Sequence, residues 1–273
     1  MLAEQKKRLC QWGMDFECFQ AKEIQEREEI LYEHQEEYGG NNKAVNQITP
    51  LVSVCIPTYQ HVKYIEQCLQ GAIMQKTSFP IEIIIGDDGS VDGTVEICKK
   101  YADKYPDKIR LYDRARVLTR IFDNEGHIVR ACNWWWTLKD ARGKYIAICE
   151  GDDYWTDPLK LQKQVDFLES HPDYGMCYTR VEYFSQKDNK MMYRWGKEAK
   201  SGKELLEKGN SIATLTVVLR KDLQQQYLSD IHPEQRNWKM GDYPLWLWVA
   251  FHSRIKFFPD VTGVYRVLES SAS

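Results

Sequence analysis

Runs of apolar and β-branched residues recur along the chain and alternate with segments that carry an apolar residue every three or four positions. The runs predict buried strands, and the periodic segments predict helices. The predicted strands of the first half are Leu51–Ile56, Ile81–Ile85, Ile109–Tyr112 and Lys144–Cys149, and the predicted helices are Tyr64–Gln75, Gly93–Tyr105 and Ile128–Ala141. Strands that alternate with helices are typical of a parallel sheet covered on both faces.

The pattern changes in the second half of the chain. A helix is predicted over Lys160–Ser170, with Pro158 near its start, and two antiparallel strands are predicted over Met176–Phe184 and Ala213–Arg220. The strongly apolar segment Pro244–Phe258 is predicted to begin as a helix and to end as a strand over Ile255–Phe258. The fold class is therefore α/β, with a mixed but mostly parallel sheet flanked by helices.

Residues 1–48 have a different pattern from the rest of the chain. The charge-rich stretch from Asp15 to Tyr38 lacks Gly and Pro and predicts a helix, which the run Gly39–Asn42 ends. We interpret residues 1–48 as a helical extension and linker, and residues 49–273 as one α/β domain. The extension packs either on this domain or on a partner chain, which would make the protein a homo-oligomer.

Composition narrows the class of protein. The 273 residues carry a net charge of −3, which leaves no broad basic surface to bind nucleic acid. The eight cysteines form no CxxC pair, which favours reduced thiols over a disulfide framework or a zinc site. The sequence has neither a signal-peptide pattern nor a run of roughly 18 apolar residues. We therefore expect a cytoplasmic protein, and peripheral contact with the inner face of the cell membrane stays open.

The run Glu150–Trp155 is the first candidate site. A predicted buried strand leads directly into the adjacent carboxylates Asp152 and Asp153. The carboxyl ends of strands are where open α/β sheets bind ligands. Two like charges at a buried strand end are unfavourable unless a cation or hydrogen-bond donors compensate them. Because Mg²⁺ and Mn²⁺ usually bind one or two carboxylates plus substrate phosphates, the run predicts a metal-assisted enzyme with a phosphorylated substrate.

Three other segments are less specific by themselves. The acidic run Gly86–Thr94 follows the second strand, where one Asp can accept from a base or ribose while the others shape a turn. No GxGxxG or GxxxxGK[ST] loop is present. Ile56–Tyr59 reads alone as a loop, and Asp242 alone reads as a helix N-cap. The aromatic side chains of Trp155, Trp246 and Trp248 form either a wall on which a ligand stacks or part of the core.

Taken together, these motifs resemble glycosyltransferase family 2 over about residues 50 to 273. The motifs occur in the family's order: Val54–Tyr59, Ile84–Ser90, Asn124–Gly126 with Asn133, Gly143–Ile146, Glu150–Asp153, Gly241–Asp242, and Tyr265–Val267 with a Ser-rich end. The resemblance implies a GT-A fold, and the bacterial members that build surface polysaccharides of the cell envelope are the most similar.

The resemblance also implies roles on the nucleotide side of the site. Pro57, Thr58 and Tyr59 would line the nucleotide pocket. Asp88 would accept a hydrogen bond from the base, with uracil N3–H as the expected donor. Asp87 would support the turn or contact the ribose.

Four more residues complete the implied site. Asn133 would face the nucleotide, and Asp152 would lie near the ribose or the sugar. Asp153 would bind the metal, Mn²⁺ or Mg²⁺, that bridges the diphosphate. Asp242 would be the general base that removes the acceptor's proton. The chain departs from the family pattern at Gly241, where a Glu is common, and at Cys132, where an Arg is common.

The implied activity is the inverting transfer of one sugar from a nucleotide-sugar donor, a UDP-sugar being the first choice, to a hydroxyl of a saccharide or lipid-linked saccharide. Because the QxxRW signature of processive synthases is absent, we expect single-sugar addition. Many relatives continue beyond the Ser-rich motif, so we also expect this sequence to belong to a longer protein. The alternatives are a sugar nucleotidyltransferase and a catalytically inactive interaction module; the retained Asp88, Asp152, Asp153 and Asp242 argue against the inactive module.

Overall fold

A computed structural model describes residues 7, 9–10, 13–20, 22, 24–40, 42–122, 128–233, 236, 238 and 240–269. The Asn124–Gly126 motif and the Ser-rich end lie outside these residues. The helices are α1 Phe16–Gln20, α2 Ile24–His34, α3 Ile65–Ile73, α4 Thr94–Lys104, α5 Arg116–Thr119, α6 Asn133–Lys139, α7 Lys160–Ser170, α8 Gly202–Lys208, α9 Lys221–Ile231 and α10 Asp242–His252. The strands are β1 Val52–Thr58, β2 Ile81–Asp87, β3 Ile109–Asp113, β4 Arg120–Phe122, β5 Ile128–Ala131, β6 Tyr145–Ile148, β7 Tyr154–Trp155, β8 Tyr174–Ser185, β9 Lys190–Trp195, β10 Val218–Arg220 and β11 Arg254–Val267.

Within the described part of the chain, nine strands form one sheet in the order β3-β2-β1-β6-β10-β8-β11-β7, with β9 paired to β8. Strands β3, β2, β1 and β6 are parallel, as the alternation of predicted strands and helices indicates. Helices α3, α4 and α7 pack on one face of the sheet, and α6, α9 and α10 pack on the other. None of the described helices combines the length and apolarity needed to cross a bilayer.

The second half of the sheet is mixed, as predicted. Strand β10 is antiparallel to both β6 and β8, whereas β8 and β11 are parallel to each other. Strand β9 forms a hairpin with β8 and pairs antiparallel to it. The division of the apolar segment into helix α10 and strand β11 also agrees with the sequence pattern.

Three predicted elements differ from the structure. The first residues of the predicted helix Ile128–Ala141 form strand β5 instead, because they pair antiparallel with β4. The predicted strand Ala213–Arg220 begins as a 3₁₀ turn over Thr214–Thr216 and becomes a strand only at Val218. The charged stretch from Asp15 to Tyr38 forms two helices, α1 and α2, in place of one.

The N-terminal segment packs on the α/β domain. The buried side chains of Leu9, Phe19 and Leu31 contact α5, α6 and the segment around them, where Val117 and Trp136 are their partners. Polar contacts tie the same surfaces together, since Lys139 pairs with Glu28 at 2.6 Å and Arg110 pairs with Glu37 at 3.0 Å. The described residues of the segment therefore pack on the domain of their own chain.

Candidate active site

The carboxyl ends of β1, β2 and β6 meet at one edge of the sheet. Pro57 and Thr58 of β1 lie beside Gly86 and Asp87 of β2. The N–H of Gly151, just beyond β6, donates to the carbonyl of Pro57 at 3.1 Å. Three motifs that are far apart in sequence are therefore neighbours in the fold.

Gly151 makes this close approach possible. A Cβ at this position would overlap the hydroxyl of Thr58 and lie 2.8 Å from Nδ1 of His61. The Thr58 hydroxyl and His61 Nδ1 are themselves 3.0 Å apart. His61 Nε2 lies 3.9 Å from the Asp152 carboxylate, and burial lowers the pKa of His61. His61 and Thr58 thus connect the β1 end to the acidic run after β6.

Asp87 shapes the turn after β2. Its carboxylate accepts from the backbone N–H of Ser90 at 2.7 Å and from the Ser90 hydroxyl at 2.6 Å. Burial raises the pKa of Asp87 to about 7, although these hydrogen bonds oppose the shift. The turn-supporting role is therefore visible, whereas a contact of Asp87 with ribose stays a prediction.

Asp88 lies in a buried cluster that the sequence did not reveal. Its carboxylate pairs with Arg116 at 2.6 Å and with Arg120 at 2.5 Å, and it accepts from the Thr119 hydroxyl. The Arg116 guanidinium also lies 3.4 Å from the centre of the Tyr59 ring. Tyr59 and Asp88 are thus linked by one arginine. The partners of Asp88 follow β3 and have no short motif that would have signalled them.

Asn133 joins helix α6 to strand β2. Its Nδ2 donates to the carbonyl of Gly86 at 2.8 Å, and its Oδ1 accepts from Arg114 at 2.8 Å. Both ends of the amide thus bind the protein itself. The predicted contact between Asn133 and the nucleotide stays a prediction.

A pocket of about 260 Å³ gathers four carboxyl groups. Glu150, Asp152 and Asp153 enter it from the segment after β6, and Asp242 enters it from the first turn of α10. The structure therefore brings Asp242 to the other acids, which precede it by about 90 residues. The remaining wall contains aromatic and polar side chains that include Tyr183, Trp195, Asn210, Thr214 and Tyr265.

Asp153 is the most deeply buried of these acids. Its Oδ1 accepts from the backbone N–H of Arg266 at 2.8 Å. Burial, followed by the nearby charges of Asp152 and Glu150, raises the pKa of Asp153 well above its usual value. The Arg266 guanidinium binds the backbone carbonyl of Asp152 and the side chain of Gln67, so it fixes the loop rather than neutralising these carboxylates.

Glu150 belongs to the first motif but received no role from the sequence. Its buried Oε2 has no hydrogen-bond partner among the described residues. Burial raises its pKa to about 8, and the charges of Asp152 and Asp242 add to the shift. An orphaned acid oxygen beside two further carboxyl groups fits a site that a cation completes.

The donor set suits a hard divalent ion. Within the described residues, no three His, Cys, Asp or Glu side chains are arranged to hold a metal by themselves. Mg²⁺ and Mn²⁺ sites commonly take one or two carboxylates and receive further oxygens from substrate phosphates. Glu150, Asp152 and Asp153 offer carboxylates of this kind in the pocket, and the role of Asp153 as the metal ligand stays a prediction.

Asp242 is oriented by two hydrogen bonds. Its Oδ2 accepts from the Thr214 hydroxyl at 2.8 Å, and its Oδ1 accepts from the N–H of Tyr243 at 2.8 Å. The preceding residue, Gly241, lies against Trp135, whose ring atoms would be 3.1 Å from an added Cβ. The indole of Trp135 thus crowds the space where a larger residue before Asp242 would begin.

The predicted aromatic wall is not found at the three tryptophans. Trp246 and Trp248 pack in the core between α10 and the sheet. Trp155 is also buried, and its indole N–H donates to the carbonyl of Leu215 at 2.7 Å. The core alternative is therefore the observed one for all three.

Comparisons with known proteins show the family of this chain. The family model described as "Glycosyl transferase family 2" matches residues 53–226. An uncharacterized protein of Mycobacterium tuberculosis is 35% identical over 218 residues, which are 79% of this chain and 58% of that protein. This chain therefore spans little more than half the length of that relative.

Solved structures share the fold at lower sequence identity. TarS of Staphylococcus aureus, in complex with UDP-GlcNAc, has a TM-score of 0.56 and 20% identity, over 81% of this chain and 59% of TarS. The mannosyltransferase PcManGT of Pyrobaculum calidifontis, in complex with GDP-Man and Mn²⁺, has a TM-score of 0.53 and 19% identity, over 82% of this chain and 59% of PcManGT.

The chain belongs to glycosyltransferase family 2. The family that its motifs resemble is therefore confirmed, as are the GT-A fold and the expectation that it belongs to a class of transferase enzymes. The roles of the individual site residues stay predictions.

Proposed function

We propose that this protein transfers a single sugar, with inversion, from a UDP-sugar to a hydroxyl of a saccharide or lipid-linked saccharide, assisted by Mn²⁺ or Mg²⁺. The observation that carries the proposal is the meeting of Asp152, Asp153 and Asp242 in one pocket. Family membership supports the reaction class, and the UDP-GlcNAc complex of TarS and the GDP-Man and Mn²⁺ complex of PcManGT support a nucleotide-sugar donor.

The contacts of Asp88 favour uracil as the base. A carboxylate offers about four acceptor sites, and Arg116, Arg120 and Thr119 use three of them. One acceptor position remains for a further donor such as uracil N3–H, which would reach it only if the carboxylate, now 1% exposed, were uncovered. Guanine presents two neighbouring donors on the same edge and would need two sites. Tyr59 and the guanidinium of Arg116 supply flat faces against which a base can lie.

The diphosphate of the donor would lie in the pocket that holds Glu150, Asp152 and Asp153. Asp153 would hold the divalent ion, with Asp152 beside it near the ribose or the sugar, and the bound ion would neutralise the charge that develops on the departing UDP. The Arg266 guanidinium contacts the Asp152 carbonyl and Gln67, which keeps the loop that carries both acids in place. Thr58, next to Tyr59 in the chain, contacts His61, whose Nε2 lies 3.9 Å from the Asp152 carboxylate.

Asp242 would act as the general base. The Thr214 hydroxyl and the Tyr243 N–H fix its carboxylate at the pocket wall, and lone pairs remain to receive the acceptor's proton. One in-line displacement by the acceptor oxygen then inverts the anomeric carbon. No second, nucleophilic carboxylate is needed, unlike in retaining hydrolases.

The cysteines favour a cytoplasmic location for this reaction. All eight are free thiols, and six of them are buried. Such thiols persist in a reducing compartment.

The activity can be tested by the release of nucleoside diphosphate. The protein is incubated with Mn²⁺ and a panel of UDP-, GDP- and dTDP-sugars, with a mixture of mono- and oligosaccharides as acceptors. We expect UDP release from at least one UDP-sugar, and a product whose anomeric configuration, read by NMR, is opposite to that of the donor. Release from none of the donors would contradict the proposal, and a product of retained configuration would contradict the inverting mechanism.

A further inference from the structure

A row of aromatic side chains continues from the acidic pocket onto the β8–β9 hairpin. The rings of Tyr183 and Tyr265 have centres 4.8 Å apart, and the Tyr193 ring stacks on the other side of Tyr183, also at 4.8 Å. The Trp195 ring meets Tyr183 edge-on at 6.1 Å. We call Tyr183, Tyr193, Trp195 and Tyr265 the aromatic face.

The strand register places these rings on one side of the sheet. Tyr265 pairs directly with Tyr183, and Trp195 pairs with Val181, two residues before Tyr183. A bulge in β9 falls between Met191 and Arg194, where two residues oppose Tyr183 alone. Bulges re-aim side chains at sheet edges, and this one presents Tyr193 to the ring of Tyr183.

The outer part of the aromatic face is exposed and does not contribute to the hydrophobic core. Tyr193 is 51% exposed, and the other residues of β9 up to Arg194 are exposed as well. Tyr183, Trp195 and Tyr265 are only partly buried. Burial raises the pKa of Tyr183 to about 12, so its hydroxyl stays neutral and able to donate a hydrogen bond.

The inner part of the face belongs to the pocket itself. Tyr183, Trp195 and Tyr265 line it together with the four carboxyl groups. Its volume of about 260 Å³ lies below the range of roughly 300–1,000 Å³ that is usual for small-molecule sites. An acceptor longer than one sugar unit would extend out of the pocket, and the row of rings leads from the pocket wall to the exposed ring of Tyr193.

We propose that the aromatic face binds the acceptor as an oligosaccharide of at least two units, whose second sugar stacks on Tyr193. Pyranose rings present a face of C–H groups that pairs with an aromatic ring, while their hydroxyls can bond to Asn210, the tyrosine hydroxyls and the carboxylates. The acidic pocket disfavours an anionic lipid surface as the occupant. The proposal rests on the proposed function, because it assumes that the first acceptor sugar enters the pocket.

The test compares three variants of the whole chain. Tyr193→Ala removes the outer ring, and Tyr193→Phe keeps it. Met191→Ala is the matched control, because Met191 is 48% exposed on the same strand but pairs with Phe184, which points to the opposite side from Tyr183. The probes are glucose, N-acetylglucosamine and their β-1,4-linked di- and trisaccharides. Their binding to each variant is measured by saturation-transfer NMR in the presence of UDP and Mn²⁺.

We expect at least one di- or trisaccharide to bind more tightly than its monosaccharide. Tyr193→Ala should weaken that binding about tenfold, whereas Tyr193→Phe and Met191→Ala should retain it. Binding that Tyr193→Ala leaves unchanged, or no binding of any saccharide to the wild type, would overturn the proposal. Flotation with phosphatidylglycerol vesicles that depends on Tyr193 would also overturn it in favour of a membrane surface.

Calorimetry with UDP separates this proposal from the proposed function. If UDP binds and the oligosaccharides do not, the aromatic face has been assigned wrongly while the donor site stands. If the oligosaccharides bind through Tyr193 and UDP does not, the aromatic face is a saccharide site, but the proposed function fails and the acceptor role fails with it.

Discussion

Two aspartates, Asp242 and Asp222, occupy the same local position in different surroundings. Each lies in the first turn of a helix and accepts from the N–H of the next residue at 2.8 Å. Asp242 also binds Thr214 and lines the acidic pocket, whereas Asp222 is exposed at a different cavity beside Lys144 and Lys221. The local sequence therefore predicts a position at the start of a helix for both residues. Only the fold brings Asp242 into the acidic pocket.

This pair provides a controlled test of the general base. Asp242→Asn keeps the hydrogen bond from Tyr243 but removes the basic oxygen, so transfer should fall by about 10²- to 10⁴-fold with little change in UDP affinity. Asp222→Asn makes the same chemical change outside the pocket and should leave transfer intact. Rates and UDP calorimetry on both variants check this, and an equal loss of transfer and UDP binding in Asp242→Asn would indicate a structural role.

Asp87 predicts a pH dependence of stability. Burial raises its pKa from 3.8 to about 7, so the folded state holds a proton that the unfolded state releases. The proton on Asp87 therefore contributes to the free energy of unfolding. This contribution is complete below about pH 4 and is lost as pH rises through 7, at up to about 1.4 kcal/mol per pH unit. Asp87→Asn cannot titrate, so urea unfolding should depend less steeply on pH between 5 and 7. An unchanged slope would contradict the assigned burial.

At the scale of elements, helix α6 lies unusually close to strand β2. A Cβ on Gly86 would overlap the Thr137 hydroxyl and the Arg114 guanidinium. Arg114 is fully buried and donates at 2.8 Å to both Asn133 and Thr137. The absence of a side chain at Gly86 therefore allows the short distance between helix and strand. Asn133 of the helix also donates to the Gly86 carbonyl at 2.8 Å.

Gly86→Ala should destabilise the protein by about 1–3 kcal/mol, because helix and strand must move apart and disturb the bonds of Arg114. Denaturant unfolding measures the change. A loss of less than about 0.5 kcal/mol would show that the helix adjusts freely and that the close packing has no structural role.

The elements differ in how well the sequence predicts them. Strands β1, β2 and β6 are continuous apolar runs buried on both faces, and helix α7 has regular periodicity, so local patterns suffice. Strand β5 was predicted as the start of a helix, although it pairs antiparallel with β4, which ends only six residues before it. The sequence pattern of residues 128–141 was interpreted as one periodic element, and periodicity does not record the pairing of two short strands.

The same distinction holds for the site. Asp152, Asp153 and Asp242 were predicted from motifs, and the fold brings them together. The cluster around Asp88 and the aromatic face were missed, because their members come from separate strands and loops with no fixed spacing. The sequence left open whether the tryptophans form a ligand-facing wall or part of the core. The fold decides for the core, since α10 packs Trp246 against the sheet.

At the scale of the whole molecule, the N-terminal segment supports the cluster around Asp88, where we propose that the nucleotide binds. Helix α2 packs on α5, whose Arg116 and Thr119 hold Asp88. The Gln35 side chain, just after α2, also accepts from Arg114 at 3.1 Å. We therefore expect the segment to act with the catalytic domain rather than as an independent unit.

Leu31→Ala tests this coupling. Leu31 is fully buried against the α5 and α6 region, so its truncation should cost about 2–5 kcal/mol of unfolding free energy and weaken UDP binding. Glu29→Ala on the exposed side of the same helix is the control and should change neither property. Unfolding of the segment in a separate, earlier transition, with UDP affinity preserved, would show that the two parts are independent.

The most direct test of the central claim is the calorimetric affinity for UDP with and without Mn²⁺, in the wild type and in Asp153→Asn. The substitution keeps an oxygen for the Arg266 N–H but removes the charge that would bind the metal. We predict that Mn²⁺ tightens UDP binding at least about tenfold in the wild type and has little effect in the variant. Metal-independent UDP binding, or no UDP binding at all, would contradict the account.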